Sequence, residues 1–306
     1  FPQEDMFKLM DDKGRILVAR PDSTIPIARL VSTRLKGYPL PLRLYYAQSI
    51  FRKQPLLRGR NNEVFRMGIE LLGDDSFASD IEVLSLGASA LSAFPATSLR
   101  LEIGHVGVFR LLMEHLDADD EQKARIHSFI SAKNYGALSA KLDRLADTHT
   151  ARILRELPRL FGGSEVFEKA RRLFDGYDPR LTDMLRYLCS VYEALARNGL
   201  EDRIIIDFGL VNQADYYSSL VFKGYLDSVG EPVLSGGRYD RLLADFGEGM
   251  AATGFGINVD ILAAESLRRN GKDLANQKDP HLRIALTKGR LEKSAVELFQ
   301  AMGLDC

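Results

Sequence analysis

The sequence predicts an α+β protein, an antiparallel sheet flanked by helices and interrupted by an all-helical insertion. Three observations carry this. First, residues 42–52 and 63–72 are rich in strand formers and enclose a polar segment, 53–62, in which Pro55, Gly59, Asn61 and Asn62 supply turn chemistry; together they read as an antiparallel pair with a long tip. Second, from about 105 to 200 the texture becomes Leu, Ala, Arg and Glu, with apolar residues three or four apart, as in Leu138, Leu142, Leu145 and Leu154, Leu157, Leu160. Third, strand texture returns at 203–211 and 219–226.

The remaining elements follow in order. Residues 79–92 have helical spacing, with Ser79 or Asp80 placed to cap the helix. Residues 257–268 read as the last helix of the core. The polar stretch 270–281 lacks apolar periodicity and reads as a linker. Beyond it, Leu282–Leu286 reads as a short strand, 287–290 as a turn and 291–302 as a helix, a piece too small to bury a core alone. The expected organisation is thus a discontinuous core (1–104 and 201–269), the helical insertion (105–200), the linker (270–281) and a partial further domain (282–306).

Bulk properties narrow the function. The 306 residues are 45% hydrophobic and 27% charged, with a formal net charge of -1. No global field draws such a chain to nucleic acid or to an anionic membrane. No apolar run approaches the ~18 residues of a membrane span. Two cysteines, Cys189 and Cys306, with no Cys-x-x-Cys, fit a reducing cytoplasm. The five histidines show no ligand spacing and there is no phosphate-cradling Gly-x-x-x-x-Gly-Lys-Ser/Thr, so the expectation is no metal and no cofactor.

The residues suited to chemistry lie in three separated segments: Ala19–Arg29, Ile50–Arg60 with Phe65–Gly73, and Asp215–Phe222 leading into Gly236-Gly-Arg-Tyr-Asp240. An amino-acid pocket needs a carboxylate for the ammonium, cations for the carboxylate, and flat or polar walls for the side chain. Asp22 and Thr24 can take an ammonium. Arg52 and Arg66 can fork onto a carboxylate or phosphate. Glu70 suits an imidazole N–H, and Tyr216, Tyr217 and Tyr239 offer rings with hydroxyl tips. Each has a plainer alternative: Asp22 beside Pro21 is a good helix cap, Glu70 can pair with Arg52, one of the paired tyrosines can pack in the core, and Arg58 and Arg60 can be solvated charge.

Taken in order, these segments resemble histidyl-tRNA synthetases. They resemble still more closely the synthetase-like regulatory subunit of ATP phosphoribosyltransferase, over residues 5–265. The resemblance implies a class II aminoacyl-tRNA synthetase-like fold, and it puts Asp22, Thr24, Arg52, Glu70, Tyr217 and Tyr239 on positions that line a histidine site. It also exposes departures from an active synthetase. An arginine that helps form the adenylate is Asn212 here, the ATP-gripping arginine at the final helix is Ile261, a loop glutamate is Gln54, and a second-strand glutamine is Arg66. Adenylate formation concentrates negative charge that preorganised cations must meet. The two lost arginines therefore favour a sensor that binds free histidine and controls the first step of histidine biosynthesis, with an active histidyl-tRNA synthetase as the alternative. The implied partners are the short-form catalytic subunit and a second copy of the chain, as a homodimer within a hetero-oligomer.

Residues 282–298 resemble the start of the short-form catalytic subunit itself. Lys288, Gly289 and Arg290 would then form a phosphate-binding turn at a helix N-terminus, and the sequence would derive from a fusion of regulatory and catalytic domains.

Overall fold

The computed structural model describes residues 5–54, 61–94, 98–145, 148–211 and 216–276. Near the start, β1 (Lys8–Met10) and β2 (Ile16–Val18) pair as a separate antiparallel ribbon. Its turn is closed by Asp11, whose Oδ1 accepts from the backbone N–H of Lys13 (3.0 Å) and Arg15 (2.8 Å). Next come α1 (Thr24–Arg34), β3 (Leu42–Phe51) and β4 (Glu63–Leu72). The strand pair stands where alternation and turn residues place it, and β3 and β4 pair antiparallel from Leu42↔Leu72 to Phe51↔Glu63.

Helix α2 (Phe77–Ser92) is capped by Ser76, whose Oγ accepts from the N–H of Ser79 at 3.3 Å. Ser79 and Asp80, expected as caps, lie inside the first turn and are buried. Their side chains meet Arg238 instead, at 2.7 Å (Ser79 Oγ) and 2.9 Å (Asp80 Oδ1), so a tertiary ion pair has claimed the groups that looked like capping residues.

From β5 (Leu99–His105) the chain enters its helical stretch: α3 (Val106–His115), α4 (Asp120–Ser131), α5 (Tyr135–Leu142), α6 (His149–Glu156), the two-residue strand β6 (Phe161–Gly162), α7 (Glu165–Phe174) and α8 (Pro179–Leu195). Local chemistry starts these helices. Asp119, Asn134, Thr148 and Asp178 each accept from a first-turn N–H, and Pro179 fills a position whose N–H would have no helical partner. The apolar stripes then dictate packing: Leu138, Leu142, Leu154, Leu157 and Leu160 are all buried.

The chain returns through β7 (Ile204–Asp207), β8 (Leu220–Leu226), β9 (Leu234–Arg238) and β10 (Ala252–Asn258), and ends its described part with α9 (Val259–Asn276). Residues 257 and 258, expected in the helix, complete β10. Asn258 caps α9, with Oδ1 accepting from Ile261 N–H at 3.3 Å. The helix also occupies 270–276, where the polar sequence read as linker. Lack of an apolar stripe argues against a packed face, not against helix. Residues Phe1–Glu265 form one unit and Ser266–Cys306 another, of which the end of α9 is described.

The main sheet has the order β3-β4-β10-β9-β8-β5-β7-β6. It is mixed rather than purely antiparallel, because β5 and β7 run parallel, with Leu101↔Ile204 to Ile103↔Ile206 in register. The helical stretch between them is the crossover that a parallel pair requires. One face of the sheet carries Ile69, Leu71, Phe255, Leu234, Phe222, Leu101 and Ile103, which join residues of α2, α3 and α8 in the larger core. The opposite face carries Glu70, Gly68, Arg66, Gly254, Gly256 and Gly237, and a second, smaller core of Ala28, Val31, Leu72, Tyr217, Val221, Tyr239 and Leu243 closes over one end of it.

Candidate functional site

The site grows from strand parity. Side chains alternate across a sheet, so Glu70 on β4 shares its face with Leu44 on β3 and Gly254 on β10, its direct partners in register. Glu70 is 2% exposed. A buried carboxyl needs partners. Its Oε1 accepts from Thr24 Oγ1 at 2.8 Å, and its Oε2 accepts a short hydrogen bond from Tyr239 Oη. Burial pushes its pKa up to about 8, against the downward pull of those two hydrogen bonds.

Asp22 precedes α1 and is also buried. Its Oδ1 accepts from the N–H groups of Thr24 (2.6 Å) and Ile25 (3.1 Å), while Oδ2 accepts from Arg52 at 3.4 Å. The plain reading of Asp22 as a cap is therefore realised, and the same carboxylate also orients a site cation. Arg52 in addition donates through Nε to the carbonyl of Pro21 at 2.6 Å. Burial, and then the neighbouring Arg66 guanidinium, lower the Arg52 pKa.

Arg66 lies two pleats from Glu70, directly opposite Gln48 on β3 and Asn258 on β10. Its guanidinium passes over Gly256, where an added Cβ would come within 3.8 Å of Nη1. Its Nε is buried without a hydrogen-bond partner among the described residues. The tyrosines form the remaining wall. The Tyr216 ring lies 4.8 Å from that of Tyr217 and 5.9 Å, edge-on, from that of Tyr239. Burial raises all three phenols.

The structure thus brings Asp22, Thr24, Arg52, Arg66, Glu70, Tyr216, Tyr217 and Tyr239 into one cluster. Lys288, Gly289 and Arg290 lie outside the described residues, as do Arg58, Arg60 and Asn212. Ile261 packs against the larger core.

Sequence reasoning missed Tyr46. It stands opposite Gly68 on β3, and its hydroxyl would lie 2.7 Å from a Cβ on Gly256. Burial, then the charge of Glu70, raise its phenol. This part of the sheet face is made of glycines because Tyr46 and Glu70 occupy the volume that side chains at Gly68, Gly254 and Gly256 would take. The available signal was the alternation Gly254-Phe-Gly256, whose two small positions share one face. Two open clefts lie elsewhere: one of about 340 Å³ lined by His105, Arg180, Asp183, Met184 and Tyr187, another of about 540 Å³ lined by Ser49, Asn61, Asn62, Glu63, Phe65 and Asp260. His105 is packed edge-on against Tyr187, and burial lowers its pKa to about 4. Among the described residues no cluster of three or more His, Cys, Asp or Glu side chains is arranged to hold a metal ion.

Chemically, the cluster has a carboxyl with two hydroxyl partners at one end and two guanidinium groups near the other. The sheet order, the flanking helices and this cluster define a class II aminoacyl-tRNA synthetase-like core. Residues 2–262 match the histidyl-tRNA synthetase family. A solved structure described as an ATP phosphoribosyltransferase regulatory subunit/histidyl-tRNA synthetase from Bacillus halodurans superposes with a TM-score of 0.79 at 31% identity, over 98% of this chain and 82% of that one. The ATP phosphoribosyltransferase regulatory subunit of Clostridium kluyveri is 37% identical over 304 residues, 98% of this chain and 76% of the relative. The ATP phosphoribosyl transferase (HisG:HisZ) complex from Thermotoga maritima shares the fold, with a TM-score of 0.64 at 19% identity over 84% of this chain and 86% of that chain. The chain belongs to the histidyl-tRNA synthetase-like family of ATP phosphoribosyltransferase regulatory subunits. It spans 65% of the length of several further relatives from Clostridium and Bacillus species.

Proposed function

We propose that the chain senses free histidine for ATP phosphoribosyltransferase and reports occupancy of its pocket to the catalytic subunit, in the cytoplasm. The observation that carries this reading is the buried Glu70, held between Thr24 and Tyr239 on a glycine floor with Arg52 and Arg66 nearby. In this reading the imidazole sits against Glu70 and the tyrosines, Asp22 and Thr24 face the ammonium, and the arginines face the carboxylate. Occupancy shifts the assembly only to the extent that histidine binds one of its states better than the other. The partners are the catalytic subunit and a second copy of this chain. The match to the Clostridium kluyveri regulatory subunit takes in 98% of this chain, which favours reading residues 282–306 as regulatory rather than as the start of a fused catalytic domain.

Isothermal titration with histidine tests the reading. A saturable heat that is lost in Glu70→Ala is expected, as is histidine-dependent modulation of the phosphoribosyltransferase when the chain is added to its catalytic subunit. Absence of heat at millimolar histidine overturns the proposal. So does robust histidine-dependent exchange of pyrophosphate with ATP, the signature of an active synthetase. An apolar Ile261, packed against the larger core, supplies no cation for adenylate formation, which argues against that second outcome.

A further inference from the structure

Arg66 stands on the same sheet face as Glu70, and its surroundings say what its charge is for. Its cross-strand neighbours, Gln48 and Asn258, are neutral amides, and the oxygen of Asn258 already accepts from the Ile261 N–H. The nearby carboxylates are engaged. Asp22 caps α1 and meets Arg52, and both oxygens of Glu70 accept from hydroxyls. Arg52 is oriented by the Pro21 carbonyl and Asp22. Against this, the buried Nε of Arg66 has no hydrogen-bond partner among the described residues, and a buried donor of this kind is completed by a water or a ligand. The guanidinium lies over Gly256, beside Arg52 and the Tyr46 hydroxyl that fills the space a side chain there would take.

A planar fork of this kind matches an ionised carboxylate with two parallel N–H···O bonds. An alcohol or an amide carries no such pair of charged oxygens, and would leave the guanidinium, with its buried Nε, incompletely paired. Sites built around a buried polar partner reject ligands that lack it far more strongly than apolar pockets reject a misfit.

Resting on the histidine-pocket reading above, we propose that Arg66 is the specificity-determining residue that restricts this pocket to the free amino acid and excludes forms whose carboxyl group is reduced or amidated. The pocket then reports the end product as such. It is blind to compounds with the same imidazole and ammonium but an altered carboxyl group.

The test is titration calorimetry of the full chain with histidine, histidinol and histidinamide, repeated on Arg66→Gln and Arg66→Lys, with melting curves to verify folding. The wild-type chain is expected to bind histidine about 100-fold more tightly than either analogue. In Arg66→Gln the histidine affinity falls while that of the analogues, no longer set against an unpaired fork, rises, so that the two converge; Arg66→Lys, a cation without the fork, lies between. Comparable wild-type affinities for histidine and histidinol overturn the proposal, whatever the variants do. Preserved discrimination in a folded Arg66→Gln also overturns it, while leaving the histidine sensor intact. A wild-type chain that binds no histidine removes the sensor reading and this inference with it.

Discussion

Glu70 and Gly254 lie directly opposite each other in the β4–β10 ladder, and the Glu70 carboxyl fills the space that a side chain on Gly254 would need. An added Cβ would sit 2.9 Å from Glu70 Cδ and 2.5 Å from the backbone carbonyl of Ile69, neither of which can retreat without disturbing the sheet. Gly254→Ala is therefore expected to weaken histidine binding by at least about tenfold and to cost about 1–3 kcal/mol of stability through overpacking. Calorimetry and denaturant titration measure both. The control is Gly136→Ala, at an exposed position in α5 with nothing near its Cβ, which should stabilise by about 0.5–1 kcal/mol.

The raised pKa of Glu70 has a definite sign in stability. The folded state holds its proton to about pH 8, whereas the ordinary carboxyl value is 4.5. Between those values the folded chain binds the extra proton, so this group makes stability fall as pH rises, with the loss complete above the folded pKa. Glu70→Gln removes that component. Relative to wild type, the variant should gain stability between pH 6.5 and 8.5; Asp207, pushed up to about 6 by burial, and Asp80, also raised by burial, are present in both proteins and cancel in the comparison. Urea midpoints at the two pH values decide the matter; parallel shifts in both proteins would contradict it.

Arg238 and Asp80 form an ion pair at 2.9 Å with both side chains nearly inaccessible (6% and 4%). Asp240 and Ser79 complete the guanidinium, and Tyr187 Oη donates to the other oxygen of Asp80 at 2.6 Å. Removing one member strands the other, so Asp80→Ala should cost about 3–5 kcal/mol in denaturant unfolding. The double variant Asp80→Ala, Arg238→Met should recover part of that loss. If it is no more stable than the single variant, the two charges are not coupled as described.

The β1–β2 ribbon exposes Leu9, Met10, Ile16, Leu17 and Val18, with Met10 74% and Ile16 69% accessible. Apolar ribbons of this kind are commonly covered by a partner. If a second copy covers this one, Met10→Lys with Ile16→Lys should lower the mass seen by light scattering while leaving the melting temperature of the monomer unchanged. An unaltered mass would place the contact elsewhere.

What could be read in advance divides along physical lines. The strands 42–51 and 63–72 were legible because alternation and turn residues are local. The helical stretch was legible because its leucines repeat at helical spacing. The grouping of Asp22, Thr24, Glu70 and Tyr239 came through motif order, since nothing local brings residue 22 to residue 239. Tyr46 escaped because its role depends on register: only pairing with Gly68 reveals that it lines the floor. Ser79 and Asp80 misled because the same polar groups serve a helix cap or a distant arginine equally well, and only packing chooses. The direction of β7 was hidden too, being set by where the helical crossover delivers the chain.

Arg238 and Tyr239 are consecutive residues, yet they leave the backbone on opposite sides. One is held on the helix side by Asp80, which itself accepts from Tyr187 of α8; the other donates to Glu70. The peptide they share is therefore held from both faces of the sheet at once. Through Arg238 and Asp80, the backbone that carries the Tyr239 phenol is tied to Tyr187 of α8 on the far side.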